Sequence, residues 1–479
     1  MNFQWLMLQF IVLAINFALK LVYLTSNSIG NDEPFSIFHS LLSTATIIEE
    51  LSMGNNPPLF ELILHYWVHI FGTSSLSVRF LPCLFSSITA VIILRLVSHY
   101  RGLGTAFITS LLFTFSTYHM QFAHEARTYS LFCLLTVWSY SVFLKLSQGR
   151  KSTVVFWTLL NTAILYTHYL GFVVPAIQIL ALVMIGGINR NTIISIMLML
   201  SGMLILYLPW IPILVTRLLQ TTSNGTWVAP ARAEDLYNSI WSFSNSPVNA
   251  VFFLAILLLW YIFIYLKKVT AGPFVKHITL WFFIPLLGMF LMSWSALPFN
   301  LPVFIDRYLI YFSPAFCVLI ACAAADVLAL IKLPRTGLVI PCIIMAISFN
   351  PNPDNKRDVA ETIDKLKQIE TPKTLILFAP ANFHLNFAYY YDLEAFESIG
   401  KPSIYQNLDR LLREKNVYGL NTLEDLGEVD IYGFDRIIYL DAGSSFMWNN
   451  NGIKDSLQVI RKQISQEKFK DIFTLYEFE

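Results

Sequence analysis

The segment FQWLMLQFIVLAINFALKLVYL, residues 3–24, is followed closely by SIGNDEPF, residues 28–35. The first segment has about the twenty apolar residues that a bilayer core demands, with no basic residue ahead of it and no clear cleavage site, so it predicts an uncleaved membrane span. Asp32 and Glu33 then fall where lipid headgroups meet water. Ionisable groups at this depth are functional candidates, and the alternative is an ordinary solvated loop.

The amino-acid composition indicates whether the chain folds in water or in a membrane. Of 479 residues, 56% are hydrophobic, 15% are aromatic and only 13% are charged, which is too apolar for a water-soluble globule and indicates a multi-pass membrane protein. A net charge of +1 does not provide the positive electrostatic field of a nucleic-acid binder, so that class of protein is excluded. The five cysteines lie in apolar stretches without metal-ligand spacing, so we interpret them as small core residues.

Apolar runs continue to about residue 350. With residues 3–24 they give about eleven candidate spans and predict an all-α polytopic membrane domain over residues 1–350. The shorter amphipathic stretch from NPPLF, residues 56–60, to Phe71-Gly72 predicts a juxtamembrane helix at the interface. The further candidate spans are residues 77–98, 105–120, 129–146, 154–166, 171–187, 192–215, 248–266, 278–296, 308–331 and 337–349.

The chain changes character at about residue 351, where charged residues return and apolar runs shorten. Val359, Ile363, Leu366 and Ile369 recur at helical spacing, whereas residues 374–379 and 436–440 are typical of buried strands. These patterns predict a small soluble α/β domain over residues 351–479. It shows no phosphate loop or catalytic signature, so we assign it acceptor recognition or a structural role.

The distribution of basic residues predicts the orientation of the chain. With a cytoplasmic N-terminus, an eleven-span arrangement satisfies the positive-inside rule at every turn, and it places Asp32, Glu33 and residues 351–479 on the extracytoplasmic (periplasmic) side of an inner or plasma membrane. The residues that then fall in cytoplasmic turns are Arg101, Lys145, Arg150, Lys151, Arg190, Lys267, Lys268, Lys276, Lys332 and Arg335.

In this arrangement the ionisable residues at span ends collect on the extracytoplasmic side. Scattered structural groups would occur at both boundaries, whereas a cavity that opens outward would collect them at one. The set is Asp32, Glu33, His65, His69, His119, His124, Glu125, Arg127, His168, Asp306 and Arg307.

This set of side chains suits group transfer from a lipid phosphate. A carboxylate can accept the proton of an attacking hydroxyl, arginines can hold a phosphate by bidentate bonds, and aromatic rings can line a sugar or isoprenoid site. A single base without a second nucleophilic carboxylate favours inversion in one step, by analogy with glycoside hydrolases.

Five short motifs occur in an order that resembles the C-type (GT-C) membrane glycosyltransferases over about residues 1–350. The most similar groups are the bacterial relatives of the dolichyl-phosphate-mannose protein mannosyltransferases, including the lipid A aminoarabinose transferase and the rhizobial lipopolysaccharide sugar transferases. The motifs are NDE (31–33), NPPLF (56–60) with Phe71-Gly72 and Ser77-Val78-Arg79, EARTY (125–129), YTHY (166–169) and DRY (306–308).

The resemblance implies roles for individual residues. Asp32 matches the first-loop aspartate that acts as catalytic base or orients the acceptor, and Glu33 is its partner. Arg127 and Arg307 match basic residues near the donor phosphate. Further residues are implied in substrate binding, namely His65, His124, Glu125, His168, Tyr169 and Tyr308.

The resemblance also implies the substrates. The donor in this superfamily is a polyprenyl-phosphate monosaccharide, a hexose or a pentose, and the acceptor is a cell-envelope glycan, a lipid such as lipopolysaccharide, or a protein. A divalent cation occurs in some branches and is absent from others, so the metal stays open. Phe35-Ser36 stand where a tyrosine often follows the acidic pair, which leaves the subfamily open as well.

Three classes of function remain in view. The first is a polyprenyl-phosphate-dependent glycosyltransferase, for which Asp32, Arg127 and Arg307 are expected to meet at one outward-facing chamber. The second is a transporter or flippase for a lipid-linked or anionic solute, which predicts paired broken helices and charges near the midplane. The third is a non-catalytic scaffold. Residues 216–247, with Trp227, are either a lid or a plain connecting loop.

Overall fold

The structure is a computed structural model that describes residues 3–146, 150–224, 228–294, 302–355, 357–398, 404–446, 452–470 and 472–479. Long apolar helices form most of the chain up to residue 350, and a mixed sheet with short helices follows. The helices α1 to α17, in chain order, are Phe3–Leu21, Glu33–Ser40, Thr44–Met53, Leu59–Phe71, Ser75–Arg101, Leu103–Thr114, Thr117–Ala123, Tyr129–Phe143, Lys151–Leu165, Val173–Ile185, Arg190–Tyr207, Ile211–Asn224, Ala233–Ser244, Pro247–Tyr265, Pro273–Ser293, Ser313–Leu330 and Val339–Ile347.

Six helical segments of the described residues are long and apolar enough to cross a membrane. Their burial separates two kinds of helix. Only 22% of the apolar window is buried in Phe3–Leu21 and in Arg190–Thr221, against 61% in α5 and 67% in α16. Apolar faces exposed to this degree require lipid rather than water around them, so the prediction of a multi-pass membrane protein is confirmed. The remaining two segments are α14, Pro247–Tyr265, and α15, Pro273–Ser293.

Five shorter apolar helices accompany the six long segments. One of them is α4, Leu59–Phe71, which forms where a juxtamembrane helix is predicted. Helix α9 has 15 residues and covers the predicted span at 154–166. At about 1.5 Å per residue such helices are shorter than a bilayer core, so the number of spans stays a prediction.

Two boundaries differ from the sequence-based expectation. The predicted span at 308–331 begins later, because Asp306–Leu309 form a 3-10 turn and α16 starts at Ser313 with Pro314 in its first turn. Much of the predicted loop at 216–247 is helical, in α12 and α13, where Asp235 in the first turn of α13 accepts from the backbone N of Arg232 at 2.8 Å. Trp227, on which the lid expectation depends, lies outside the described residues.

The C-terminal sheet has five strands in the order β2-β1-β3-β5-β4. Strand β1 is parallel to β2 and β3 and is buried along its whole length, as the apolar run TLILFA predicts for a strand covered on both faces. The prediction of a small α/β domain is confirmed. The strands are β1 Thr374–Ala379, β2 Val417–Gly419, β3 Arg436–Ala442, β4 Gln463–Phe469 and β5 Phe473–Phe478, and the helices α18 to α23 are Val359–Ile369, His384–Tyr391, Leu393–Glu397, Ile404–Arg413, Leu423–Gly427 and Ile453–Ile460.

The contacts divide the chain into two units. Unit 1 comprises Met1–Tyr23, Ala45–Ile63 and Arg79–Pro353, and unit 2 comprises Leu24–Thr44, Leu64–Val78 and Asp354–Glu479. Unit 2 therefore contains the segment with Asp32 and Glu33 together with the α/β domain. The domain boundary at residue 350 stays a prediction.

Candidate active site

Arg127 is the centre of a buried cluster in unit 1. It lies in the turn between α7 and α8, and its side chain is only 5% exposed. Its Nη2 donates to Asn56 Oδ1 at 3.2 Å, and its Nη1 lies 3.6 Å from Glu61 Oε1. The Glu61 side chain is 2% exposed, so the pair is removed from water. Burial of this kind holds a guanidinium in one orientation.

Glu61 and Asn56 were not among the predicted site residues. In the juxtamembrane helix that the sequence predicts here, the Glu61 carboxylate could face water. The residue instead lies in the first turn of α4 and is buried against Arg127, which is 66 positions away along the chain. The available signal is an acidic residue within an apolar membrane helix, which requires a partner at that depth.

Hydrogen bonds to backbone carbonyl oxygens bring three of the motifs together in unit 1. Leu59 N in NPPLF donates to Tyr166 O in YTHY at 2.9 Å. Thr128 Oγ1 in EARTY donates to Thr167 O at 3.0 Å. Segments that are far apart in sequence therefore meet at the ends of α4, α8 and α9.

His168 connects this meeting point to the DRY motif. Its ring stacks on Phe132 with centroids 5.0 Å apart and meets the Tyr308 ring edge-on at 4.9 Å. Burial, together with the positive charges of Arg127 and Arg307, lowers the pKa of His168 to about 3. Arg127, Arg307, His168 and Tyr308 therefore form one cluster, which we call the guanidinium cluster.

The neutral imidazole of His168 has a defined hydrogen-bonding role. Its Nδ1 accepts from Leu170 N at 3.1 Å and caps the 3-10 turn Tyr169–Phe172. Since Nδ1 is the acceptor, the ring hydrogen resides on Nε2, which makes His168 a neutral donor beside two cations. Tyr169 follows it directly and is half-buried.

His124 lies in a different buried group of unit 1. Its Nε2 lies 2.7 Å from the carbonyl oxygen of Lys20, at the end of α1. Burial lowers the pKa of His124 to about 4, and the charges of Lys20 and Arg79 act in the same direction. Glu125, the next residue, is half-buried, and its carbonyl oxygen accepts from Arg127 N at 2.7 Å. The substrate-binding roles of His124 and Glu125 stay predictions.

Asp32 and Glu33 lie in unit 2 at the start of α2 and differ in environment. Glu33 is buried, and its Oε2 accepts from Gly30 N at 3.2 Å, while its own N donates to Gly30 O at 3.1 Å. It therefore closes the turn that presents Asp32. Asp32 is half-exposed and precedes the first residue of α2. Asn31 between Gly30 and Asp32 has a positive φ of 52°, which a short polar side chain tolerates.

His65 also belongs to unit 2. Its Nδ1 lies 2.9 Å from Ser40 O, at the end of α2, and its ring centroid is 4.2 Å from that of His69. This contact joins the segment Leu64–Val78 to the segment with Asp32. The role of His65 in substrate binding stays a prediction. The meeting of Asp32 with Arg127 and Arg307 also stays a prediction, because Asp32 belongs to a different unit from the two arginines.

Comparison with known proteins gives the fold. Residues 55–215 match the model of the family described as dolichyl-phosphate-mannose-protein mannosyltransferase. ArnT from Cupriavidus metallidurans in the apo state matches with a TM-score of 0.63 at 10% identity, over 98% of this chain and 97% of ArnT. ArnT bound to undecaprenyl phosphate gives 0.63 at 10% identity, over 100% and 98%. The chain has the GT-C fold.

A second GT-C protein matches less completely. The archaeal oligosaccharyltransferase AglB from Archaeoglobus fulgidus, in complex with an inhibitory peptide and a dolichol-phosphate, has a TM-score of 0.53 at 12% identity, over 90% of this chain and 69% of AglB. No curated protein matches the sequence. The GT-C resemblance drawn from the motifs is confirmed, and the family match includes NPPLF, EARTY and YTHY.

In the part of the chain that the structure describes, no three His, Cys, Asp or Glu side chains come together as a metal site. The two buried carboxylates near the motifs have other contacts, Glu61 with Arg127 and Glu33 with Gly30. The divalent cation that the resemblance implies for some members stays a prediction.

Proposed function

We propose that this protein is an integral-membrane glycosyltransferase that moves a monosaccharide from a polyprenyl-phosphate donor to an extracytoplasmic acceptor. The observation that carries the proposal is the buried Arg127, which Glu61 and Asn56 hold where NPPLF, EARTY and YTHY meet in a chain with the GT-C fold. The solved GT-C structures with bound undecaprenyl phosphate or dolichol-phosphate support a donor of this class.

In the proposed reaction, Arg127 and Arg307 bind the phosphate of the donor. Negative charge develops on the departing phosphate oxygen as the bond to the anomeric carbon breaks, and fixed cations stabilise that charge more than they stabilise the ground state. Glu61 and Asn56 hold the Arg127 fork in place. The Nε2 hydrogen of His168 supplies one further donor without adding charge.

Asp32 is the proposed base. It accepts the proton of the acceptor hydroxyl while the hydroxyl oxygen attacks the anomeric carbon, and the electron pair of the breaking bond leaves with the polyprenyl phosphate. A single displacement inverts the anomeric configuration. Glu33 closes the turn that carries Asp32, so we assign it to positioning of the base.

The proposed orientation follows the positive-inside rule. It has a cytoplasmic N-terminus, with Asp32 and the C-terminal α/β domain on the extracytoplasmic side of an inner or plasma membrane. The acceptor is then a cell-envelope glycan, a lipid or a protein. A transporter or flippase is the alternative class, and no specific observation favours it.

The test supplies the purified protein, reconstituted in lipid, with a panel of radiolabelled polyprenyl-phosphate sugars and membrane extracts. We expect transfer of label from one donor to one acceptor, with inverted anomeric configuration and loss of transfer in Asp32→Asn. A parallel reaction with EDTA measures metal dependence. Movement of intact donor across the bilayer without any transfer would contradict the proposal and favour the transporter.

A further inference from the structure

The turn that carries Asp32 is bound to the C-terminal α/β domain within unit 2. Three residues of the turn or its approach, Ser28, Ile29 and Asn31, share five hydrogen bonds with that domain or with the segment leading into it. The bonds run from Asn355 Nδ2 to Ser28 O (2.8 Å), from Ala360 N to Ser28 Oγ (3.2 Å), from Ile29 N to Tyr390 Oη (2.5 Å), from Asn386 Nδ2 to Asn31 O (3.2 Å) and from Arg357 Nε to Asn31 Oδ1 (2.7 Å).

Arg357 is the charged member of this set and contacts Gly30 and Asn31, the two residues before Asp32. Its Nε binds the Asn31 side chain. Its stem packs so closely on Gly30 that a Cβ added there would lie 3.1 Å from Arg357 Cβ. Burial lowers the pKa of Arg357, and the negative charge of Asp32 acts in the opposite direction.

We propose that Arg357 is a positioning residue for transfer, which holds the Asp32 carboxylate in the orientation that the reaction needs. The C-terminal α/β domain is then part of the catalytic apparatus, beyond any part in acceptor recognition. The inference depends on the proposed function, in which Asp32 is the base.

The side-chain chemistry explains why arginine suits this position. A guanidinium offers several donors in a rigid plane, so one side chain can bind Asn31 while its charge acts on Asp32. A lysine would keep the charge and lose the planar fork. Asn31 has a positive φ, which asparagine tolerates, and the bond from Arg357 Nε fixes its side chain in that conformation.

The position of Arg357 predicts a particular kinetic defect. The donor phosphate is assigned to Arg127 and Arg307, so a displaced Asp32 lowers kcat and leaves the KM for the donor unchanged. A misplacement of about 1 Å can lower a rate by about 100-fold. A residue that only stabilises the domain would instead lower the amount of folded protein, without this separation of kcat from KM.

The experiment uses the full-length protein in lipid and compares Arg357→Gln, Arg357→Lys and a matched control, Arg461→Gln. Arg461 also connects segments of the α/β domain, since its Nη2 donates to Ile431 O at 3.0 Å and to Phe434 O at 2.9 Å. We expect kcat to fall by about 10-fold to 100-fold in Arg357→Gln and less in Arg357→Lys, with the donor KM unchanged and Arg461→Gln near wild type.

A double-mutant cycle separates this inference from the proposed function. If Arg357 acts through Asp32, Arg357→Gln causes no further loss in single-turnover reactions of Asp32→Asn. An equal loss in both backgrounds, or a wild-type kcat in folded Arg357→Gln, would overturn the inference. If Arg357→Gln does not fold, the kcat of Arg357→Lys decides in the same way. Full activity of Asp32→Asn would contradict the proposed function itself.

Discussion

The two candidate parts of the active site are built differently. In unit 1, Arg127 of the guanidinium cluster is buried at the ends of apolar helices and is held by the buried Glu61 and by Asn56. The Asp32 turn of unit 2 is half-exposed and is held by hydrogen bonds to the α/β domain. A dry, rigid site suits stabilisation of charge on a phosphate, whereas a base must remain accessible to an acceptor that arrives from water.

The largest effect is expected at the base. Asp32→Asn keeps the shape of the side chain and removes its proton affinity, so transfer should fall at least about 100-fold, which corresponds to about 3 kcal/mol of barrier. Single-turnover transfer with labelled donor measures the loss, and donor binding should be retained. Near-normal turnover in this variant would show that the exposed turn does not supply the base.

The next effect is expected at the phosphate. Arg127→Lys and Arg307→Lys keep the positive charge and lose the bidentate fork, so each should lower transfer by about 10-fold to 100-fold. Arg101→Lys is the matched control, because Arg101 is also a partly buried arginine in unit 1, paired with Asp326. Undiminished transfer in both site variants would mean that these arginines only anchor helix ends at the interface.

A smaller effect on transfer, with a clear effect on stability, is expected at Glu61. Glu61→Gln removes a buried carboxylate beside Arg127, and loss of one partner of such a pair costs about 3 kcal/mol or more. The thermal midpoint of unfolding should fall. The KM for the donor should decrease, because the Glu61 carboxylate no longer competes with the donor phosphate for Arg127. The double variant Glu61→Met with Arg127→Met should regain stability and transfer no sugar. A raised donor KM in Glu61→Gln would instead give Glu61 a direct part in holding the donor.

Sequence patterns predicted local features well and long-range contacts poorly. The apolar runs predicted helices such as α5 and α14, and the short apolar run at 374–379 predicted β1, because these patterns depend on neighbouring residues. Helix α13 was missed, since its polar residues resemble a loop and its Asp235 cap is visible only once the helix is assumed. No local pattern could have paired Glu61 with Arg127 or Arg357 with Asn31, because tertiary packing alone creates these contacts.

The smallest effect is expected at His168, where the pH dependence carries the information. Burial holds its pKa at about 3 in the folded protein, below its usual value, so the unfolded state binds the proton more readily. The contribution of His168 to stability is therefore complete above about pH 6.5 and is lost as the pH falls towards 3. His168→Asn keeps an acceptor for Leu170 N and His168→Gln keeps a donor near the Nε2 position. Both variants should lose less thermal stability than the wild type between neutral and acidic pH, and His168→Gln should retain more transfer than His168→Asn. If the wild type and both variants lose stability equally on acidification, the imidazole is not held neutral between the two guanidinium groups.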